Sequence, residues 1–117
     1  MKKIMVAAFI VLMLFAPALS AQTDIERNKI EFLISSVENL KDARFIRNGS
    51  EYNGQEAAKH LRMKLRRAGD RIRTADDFIR FITAKSSVSG KPYLIMLPDG
   101  TTIKSEKYFR DKLKEYR

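Results

Sequence analysis

The 117-residue chain predicts a small single-domain α+β fold, with two β-hairpins forming an antiparallel sheet packed with about four helices. Three observations lead there. Ile30, Leu33, Ile34 and Val37 recur at the spacing of one helical face. Asn48-Gly49 and Pro98-Asp99-Gly100 each stand between extended apolar stretches, as hairpin turns do. Each remaining amphipathic stretch opens on a capping residue.

The first residues are set aside before the fold. Lys2-Lys3 is a basic start, Ile4 to Ala16 is uncharged and apolar, Pro17 breaks the run, and Ala18-Leu19-Ser20-Ala21-Gln22 supplies small residues. This is the three-part pattern of a secretory signal peptide, residues 1–21, with cleavage near Ser20 or Ala21. The alternative is an uncleaved anchor, but the run is short for about 30 Å of hydrocarbon. No transmembrane segment is expected after cleavage, and the expected location is periplasmic. The chain has no cysteine, so a lipid anchor on a cysteine, a disulfide framework and a thiolate metal site are all excluded. Residues 22–117 form the expected single domain, large enough for one packed core.

Taking the elements in order, Thr23-Asp24 caps a helix from Ile25 to Glu38. Asn39 to Ala43 connects. Asn48-Gly49 tolerates positive φ at both positions and suits a two-residue type I′ turn. That register sets Arg47 opposite Ser50 and Phe45 opposite Tyr52, placing these four side chains on one face. Asn48-Gly49-Ser50 also matches a glycosylation sequon, and we read it as a turn. Asn53 and Glu56 form a capping arrangement for a helix that runs to Ala68, where Gly69 stops it; Ala58, Leu61, Leu65 and Ala68 make its apolar stripe. Thr74-Ala75-Asp76-Asp77 opens a third helix with Phe78, Ile79 and Ile82 inward and Phe81 at the edge. Tyr93 to Leu97 is a continuous apolar run and reads as a central strand buried on both faces. Thr101 to Ile103 returns as a strand, and Ser105 caps a final helix carrying Tyr108, Phe109 and Leu113. The order α-ββ-α is thus written twice, and residues 24–69 against 74–117 form an α-ββ-α pseudo-repeat by element order.

Function is less legible. Without Lys2 and Lys3 the chain holds 21 basic and 14 acidic side chains, a formal +7, which favours anionic partners. Export makes lipid headgroups and other envelope polymers the polyanions at hand and argues against nucleic acid. The single histidine, His60, has Glu56 one helical turn before it and Lys64 one turn after; the chain shows no metal-ligating cluster, and no metal or cofactor is expected. Arg62 to Arg73 is strongly basic with no interleaved aromatic residue, which suits a solvated helix face or an electrostatic contact rather than base stacking.

The loop after the third helix holds Lys85, Ser86, Ser87, Ser89, Gly90 and Lys91, followed by Tyr93. A Ser-x-x-Lys pair is excluded, because Ile82 and Val88 stand three before the two lysines; a Gly-x-Ser-x-Gly elbow is absent; and Gly90-Lys91 precedes a strand rather than following one, the reverse of a phosphate loop. The hydroxyls, cations and exposed amides suit a carboxylate or phosphate. The same residues also suit a self-saturated turn, and both readings stand on sequence alone.

Arg44 to Leu65, Thr74 to Tyr93 and the closing Tyr108 to Arg117 resemble the YfeK-like family of small exported bacterial proteins, a domain of unknown function. The most specific pieces are Arg47-Asn48-Gly49, Glu56-Ala57-Ala58 with His60-Leu61-Arg62, and Ser86-Ser87 with Ser89 to Tyr93. The resemblance implies a periplasmic protein and supplies no activity, substrate or cofactor. The leading reading is a non-enzymatic binding or accessory module for an anionic envelope ligand or a protein partner. Its candidate contact residues are Arg47, Asn48, His60, Arg62, Lys85, Ser86, Ser87, Ser89, Gly90, Lys91 and Tyr93. A hydrolase using Ser87 or Ser89 with His60, and a polyanion or membrane-surface binder through Arg62–Arg73, are the alternatives.

Overall fold

A computed structural model describes residues 22–117; the leader expected at 1–21 lies outside the described residues. The elements follow the expected order: α1 (Asp24–Glu38), β1 (Arg44–Arg47), β2 (Ser50–Tyr52), α2 (Gly54–Ala68), α3 (Ala75–Phe78), β3 (Leu94–Met96), β4 (Thr102–Lys104) and α4 (Ser105–Leu113). Among the described residues, no helix is long and apolar enough to cross a membrane.

Local chemistry accounts for the boundaries. The Thr23 side chain accepts from the Glu26 amide to start α1, and Ile30, Leu33, Ile34 and Val37 are all buried. Asn48 and Gly49 take φ of 51° and 82°, the left-handed pair that a tight hairpin needs. The register is the expected one, with Arg47 opposite Ser50 and Phe45 opposite Tyr52. Asn53 and Glu56 close a reciprocal capping box on α2, and Thr74 and Asp77 close another on α3. Glu26 reaches across from α1 to accept the Ala75 amide at 2.8 Å, which ties the two helix starts together.

The hairpins join through β1 and β3, which pair antiparallel at the centre of a four-stranded sheet ordered β2-β1-β3-β4. Phe45 and Ile95 oppose one another there and face the helices. The core gathers them with Phe78, Ile79 and Phe109 around the buried face of α1.

Three local expectations are corrected. β3 is not buried on both faces: Ile95 is fully buried, but Leu94 and Met96 are half-exposed, because the core lies on the Phe45–Ile95 side of the sheet. Ser105 does not cap α4; Lys104 occupies that position, and the Ser105 amide instead donates to the Tyr93 carbonyl at 2.8 Å, extending the β4–β3 ladder into the helix start. The third helix is α-helical only to Phe78 and continues as a π-helix over Ile79–Thr83. The buried Thr83 hydroxyl donates to the Ile79 carbonyl within that turn, and Phe81 is left 58% exposed.

Candidate functional site

The serine loop is tied down by its own backbone and by the first hairpin. Its base closes through a Lys85–Pro92 bridge and a Ser86 amide bond to the Lys91 carbonyl at 2.9 Å. The buried Ser86 hydroxyl oxygen accepts from the Val88 and Ser89 amides at 3.2 and 3.3 Å. The Asn48 side-chain amide donates to that same oxygen at 3.3 Å, and its carbonyl accepts from the Ser89 hydroxyl. The Ser89 oxygen in turn accepts from the Lys91 amide. Gly90 takes φ +74°, the conformation the turn demands. These hydroxyls therefore satisfy amides and latch the loop onto the Asn48 turn. Lys85, Ser87 and Lys91 remain exposed.

Arg47 leaves the same hairpin on the core-facing side, one residue before the latch. One guanidinium nitrogen lies 3.0 Å from His60 Nε2 on α2, and the other donates to the Tyr52 hydroxyl at 3.4 Å. A guanidinium is only a donor, so Nε2 is the acceptor and the imidazole proton sits on Nδ1. Burial lowers the His60 pKa, and the Arg47, Lys64 and Arg67 cations lower it further, which keeps the ring neutral. Tyr52 raises the Arg47 pKa, chiefly through the hydrogen bond to its hydroxyl. Tyr93 completes the group: its ring stands 6.4 Å from that of His60, and the Lys64 ammonium bonds its hydroxyl at 3.0 Å and the Ile82 carbonyl at 2.9 Å.

These side chains border a cleft of about 390 Å³ between α2, the β1–β2 hairpin and the start of α4. Its walls are predominantly apolar, built from Phe45, Ala57, Leu61, Met63, Leu94 and Phe109. Arg47, Tyr52, His60 and Tyr93 supply the polar groups, and Glu56, Lys59 and Arg66 stand around it as exposed residues. Among the described residues, Arg47 has no carboxylate partner. The ion pairs among the described residues involve Arg27, Lys29, Arg62, Arg80, Lys107, Arg110 and Lys112, none of which lines the cleft.

The structure thus divides the predicted residues. Arg47, His60 and Tyr93 come together at the cleft. Asn48, Ser86, Ser89 and Gly90 build the latch beside it, with Lys85, Ser87 and Lys91 on the open side of the loop. Arg62 does neither: its guanidinium pairs with Glu31 at 2.7 Å and Glu38 at 3.0 Å, bracing α2 against α1. The basic stretch is partly spent in the same way, since Lys64 points inward and Arg71 donates to the Ala68 and Arg67 carbonyls at the end of α2. No hydrogen bond among the described residues joins a serine hydroxyl to His60, and no group of three or more histidines, cysteines or carboxylates that could hold a metal is found among them. Sequence reasoning missed Tyr52, Lys64 and the apolar walls. Tyr52 was within reach, because the hairpin register already placed it on the Arg47 face.

Residues 24–117 match a family described as a family of unknown function, DUF5329. The uncharacterized protein YfeK of Salmonella typhimurium is 41% identical over 93 residues, covering 80% of this chain and 77% of that protein. No solved structure matches. The chain belongs to this YfeK-like family of unknown function.

Proposed function

We propose that this member of the family is a non-enzymatic periplasmic binding module, and that the cleft headed by Arg47 is where it holds an anionic ligand. One observation carries the reading: a half-buried guanidinium at a largely apolar cleft, bonded to a neutral imidazole and a phenol and with no carboxylate partner among the described residues. The guanidinium keeps N–H donors with no counter-charge, and an arriving anion supplies one through charge-assisted hydrogen bonds. Clefts of this size and composition, with a few convergent polar groups, are the usual form of small-ligand sites. The secretory pattern of residues 1–21 supports the periplasmic location. The non-enzymatic reading is supported by the Ser86 and Ser89 hydroxyls being engaged within the loop and by Arg47 donating to His60 Nε2, the ring nitrogen a general base would use.

The test is a titration followed by NMR at the Arg47 side chain and the His60 ring, with alkanoate anions as probes. Saturable shifts at both groups are expected in the wild type and in Arg62→Gln, and none in Arg47→Gln. Arg47→Lys keeps the charge and should retain weakened binding. Probes that shift neither group in the wild type, or that bind Arg47→Gln as well as the wild type, would overturn the assignment.

A further inference from the structure

We infer that the ligand of this cleft is a single-chain amphiphilic carboxylate, its alkyl chain held against the apolar wall that Ala57 and Met63 present and its head on the Arg47 guanidinium. The inference rests on the anion-binding reading above and goes further by assigning the ligand's body.

The chemistry of the walls makes the case. A site for a small, fully polar anion such as phosphate encloses it in donors, from backbone amides or several cations. Here the amides of the serine loop are consumed by Ser86 and Ser89. The accessible wall of the cleft is mostly carbon: Ala57 and Met63 from α2, with the buried Phe45, Leu61 and Phe109 behind. Arg47, steadied by His60 and Tyr52, thus stands as a charged anchor at one side of an apolar trough. Such a site gains most of its affinity from burying hydrocarbon, and the charge fixes orientation.

The guanidinium is also suited to one carboxylate. It carries five N–H donors in a fixed fork. His60 and Tyr52 take one each, from different terminal nitrogens, which leaves three for a head group. A carboxylate uses two in a bidentate pair. The engaged partners fix the plane of the fork, so less side-chain freedom is lost on binding. The charge around the site is complementary as well, with Lys59 and Arg66 against Glu56 at the cleft and Lys64 and Arg67 close to His60. The cleft volume of about 390 Å³ sits at the small end of ligand sites, which run from about 300 to 1,000 Å³, and suits one chain rather than two.

Two series of probes test this on the protein: acetate, hexanoate, octanoate and decanoate, each below its micelle concentration, and the alcohols of equal length. Each methylene that enters the cleft should tighten alkanoate binding about two- to fourfold, the upper value being that of a fully buried CH₂. Decanol should bind more weakly than decanoate, and Arg47→Gln should bring the two together. Ala57→Phe, which fills part of the trough, should weaken decanoate. Acetate binding as tightly as decanoate would overturn the chain assignment while leaving the anion site intact. Decanol matching decanoate in the wild type would overturn the role of Arg47, and with it the anion reading. A cleft that ignores every alkanoate, as one built for a protein segment would, overturns both.

Discussion

Gly54 offers a test in which packing and helix propensity point in opposite directions. It is the first residue of α2, and it is buried. Its φ is not positive, so alanine can adopt the backbone, and on propensity alone Gly54→Ala should stabilise by about 0.4–1 kcal/mol through a less flexible unfolded chain. The surroundings reverse the sign. An added Cβ would press into the Val37 carbonyl oxygen and lie 3.2 Å from that of Leu40 and 3.5 Å from that of Glu38. These are backbone atoms at the end of α1, and the Val37 carbonyl already accepts the Leu40 amide at 3.1 Å, so none can rotate aside. The start of α2 must instead move away from α1. Overpacking of this kind costs typically 1–3 kcal/mol, and a backbone obstacle belongs at the upper end. Taking about 3 against a gain of about 1 leaves a net loss of about 2 kcal/mol, or roughly 8–16 °C in melting temperature for a domain of this size. Urea unfolding of Gly54→Ala beside the wild type measures it. A variant as stable as the wild type, or more so, would refute the claim that a close helix–helix approach positions α2, and with it His60.

Two further outcomes follow from the latch and from the imidazole. Asn48→Gly keeps the left-handed backbone and removes both ties to Ser86 and Ser89, so it should cost about 1 kcal/mol, while Asn48→Ala adds the left-handed penalty of about 1–2 kcal/mol; equal losses in chemical denaturation would show that φ +51° carries no strain. The folded-state pKa of His60 lies below its ordinary value of 6.5, so the unfolded chain binds its proton first. Stability from this residue is therefore complete above about pH 6.5, falls as pH drops through that value towards the lowered one, and changes no further below it. His60→Gln should flatten the melting temperature between about pH 7 and 5, because the lowered carboxylates Glu26 and Asp76 begin to lose their share only near 4.5 and 3.8. An unchanged slope in that variant would remove His60 from the account.

What could be read in advance was whatever depends on neighbours in the chain. Asn48-Gly49 sets a two-residue turn, and a two-residue turn sets the register, so Arg47 and Tyr52 were placed on one face before any contact was known. The spacing of Ile30, Leu33, Ile34 and Val37 likewise fixed which side of α1 is inward. The errors arose where a residue answers to something distant. Ser105 has the chemistry of a cap, but its amide is claimed by Tyr93 on the neighbouring strand. Leu94 and Met96 have the composition of a doubly buried strand, yet the core forms against the other face. In the third helix the inward residues Phe78, Ile79 and Ile82 are the expected ones, and only the change to a π-helix at Ile79–Thr83 left no mark in the local pattern. The cleft is harder still, because it is a space between Phe45, Leu61 and Phe109, which share no local pattern.

The doubled element order bears on why that space exists where it does. β1 and β3 pair at Phe45 and Ile95, and the partners of those two residues in the outer strands are Tyr52 and Ile103. Two residues later, at Gly54 and Ser105, the following helices begin. Counted on this common scale, Ala57 and Ala58 of α2 stand where α4 has Tyr108 and Phe109. In the second half those aromatic rings fill the interior: Phe109 packs edge-on against Phe78 at 6.2 Å, and the Tyr108 hydroxyl donates to Ser36 at 3.1 Å. In the first half Ala58 lets α2 lie close against α1, and Ala57 leaves carbon-lined room over β1 that Phe109 bounds from the far side. Arg47, the last residue of β1, stands at that opening, where β3 has only Leu97 following its own last residue. The asymmetry between the halves, small residues and a cation in one against large aromatic residues in the other, is what leaves an open cleft in place of a second copy of the core.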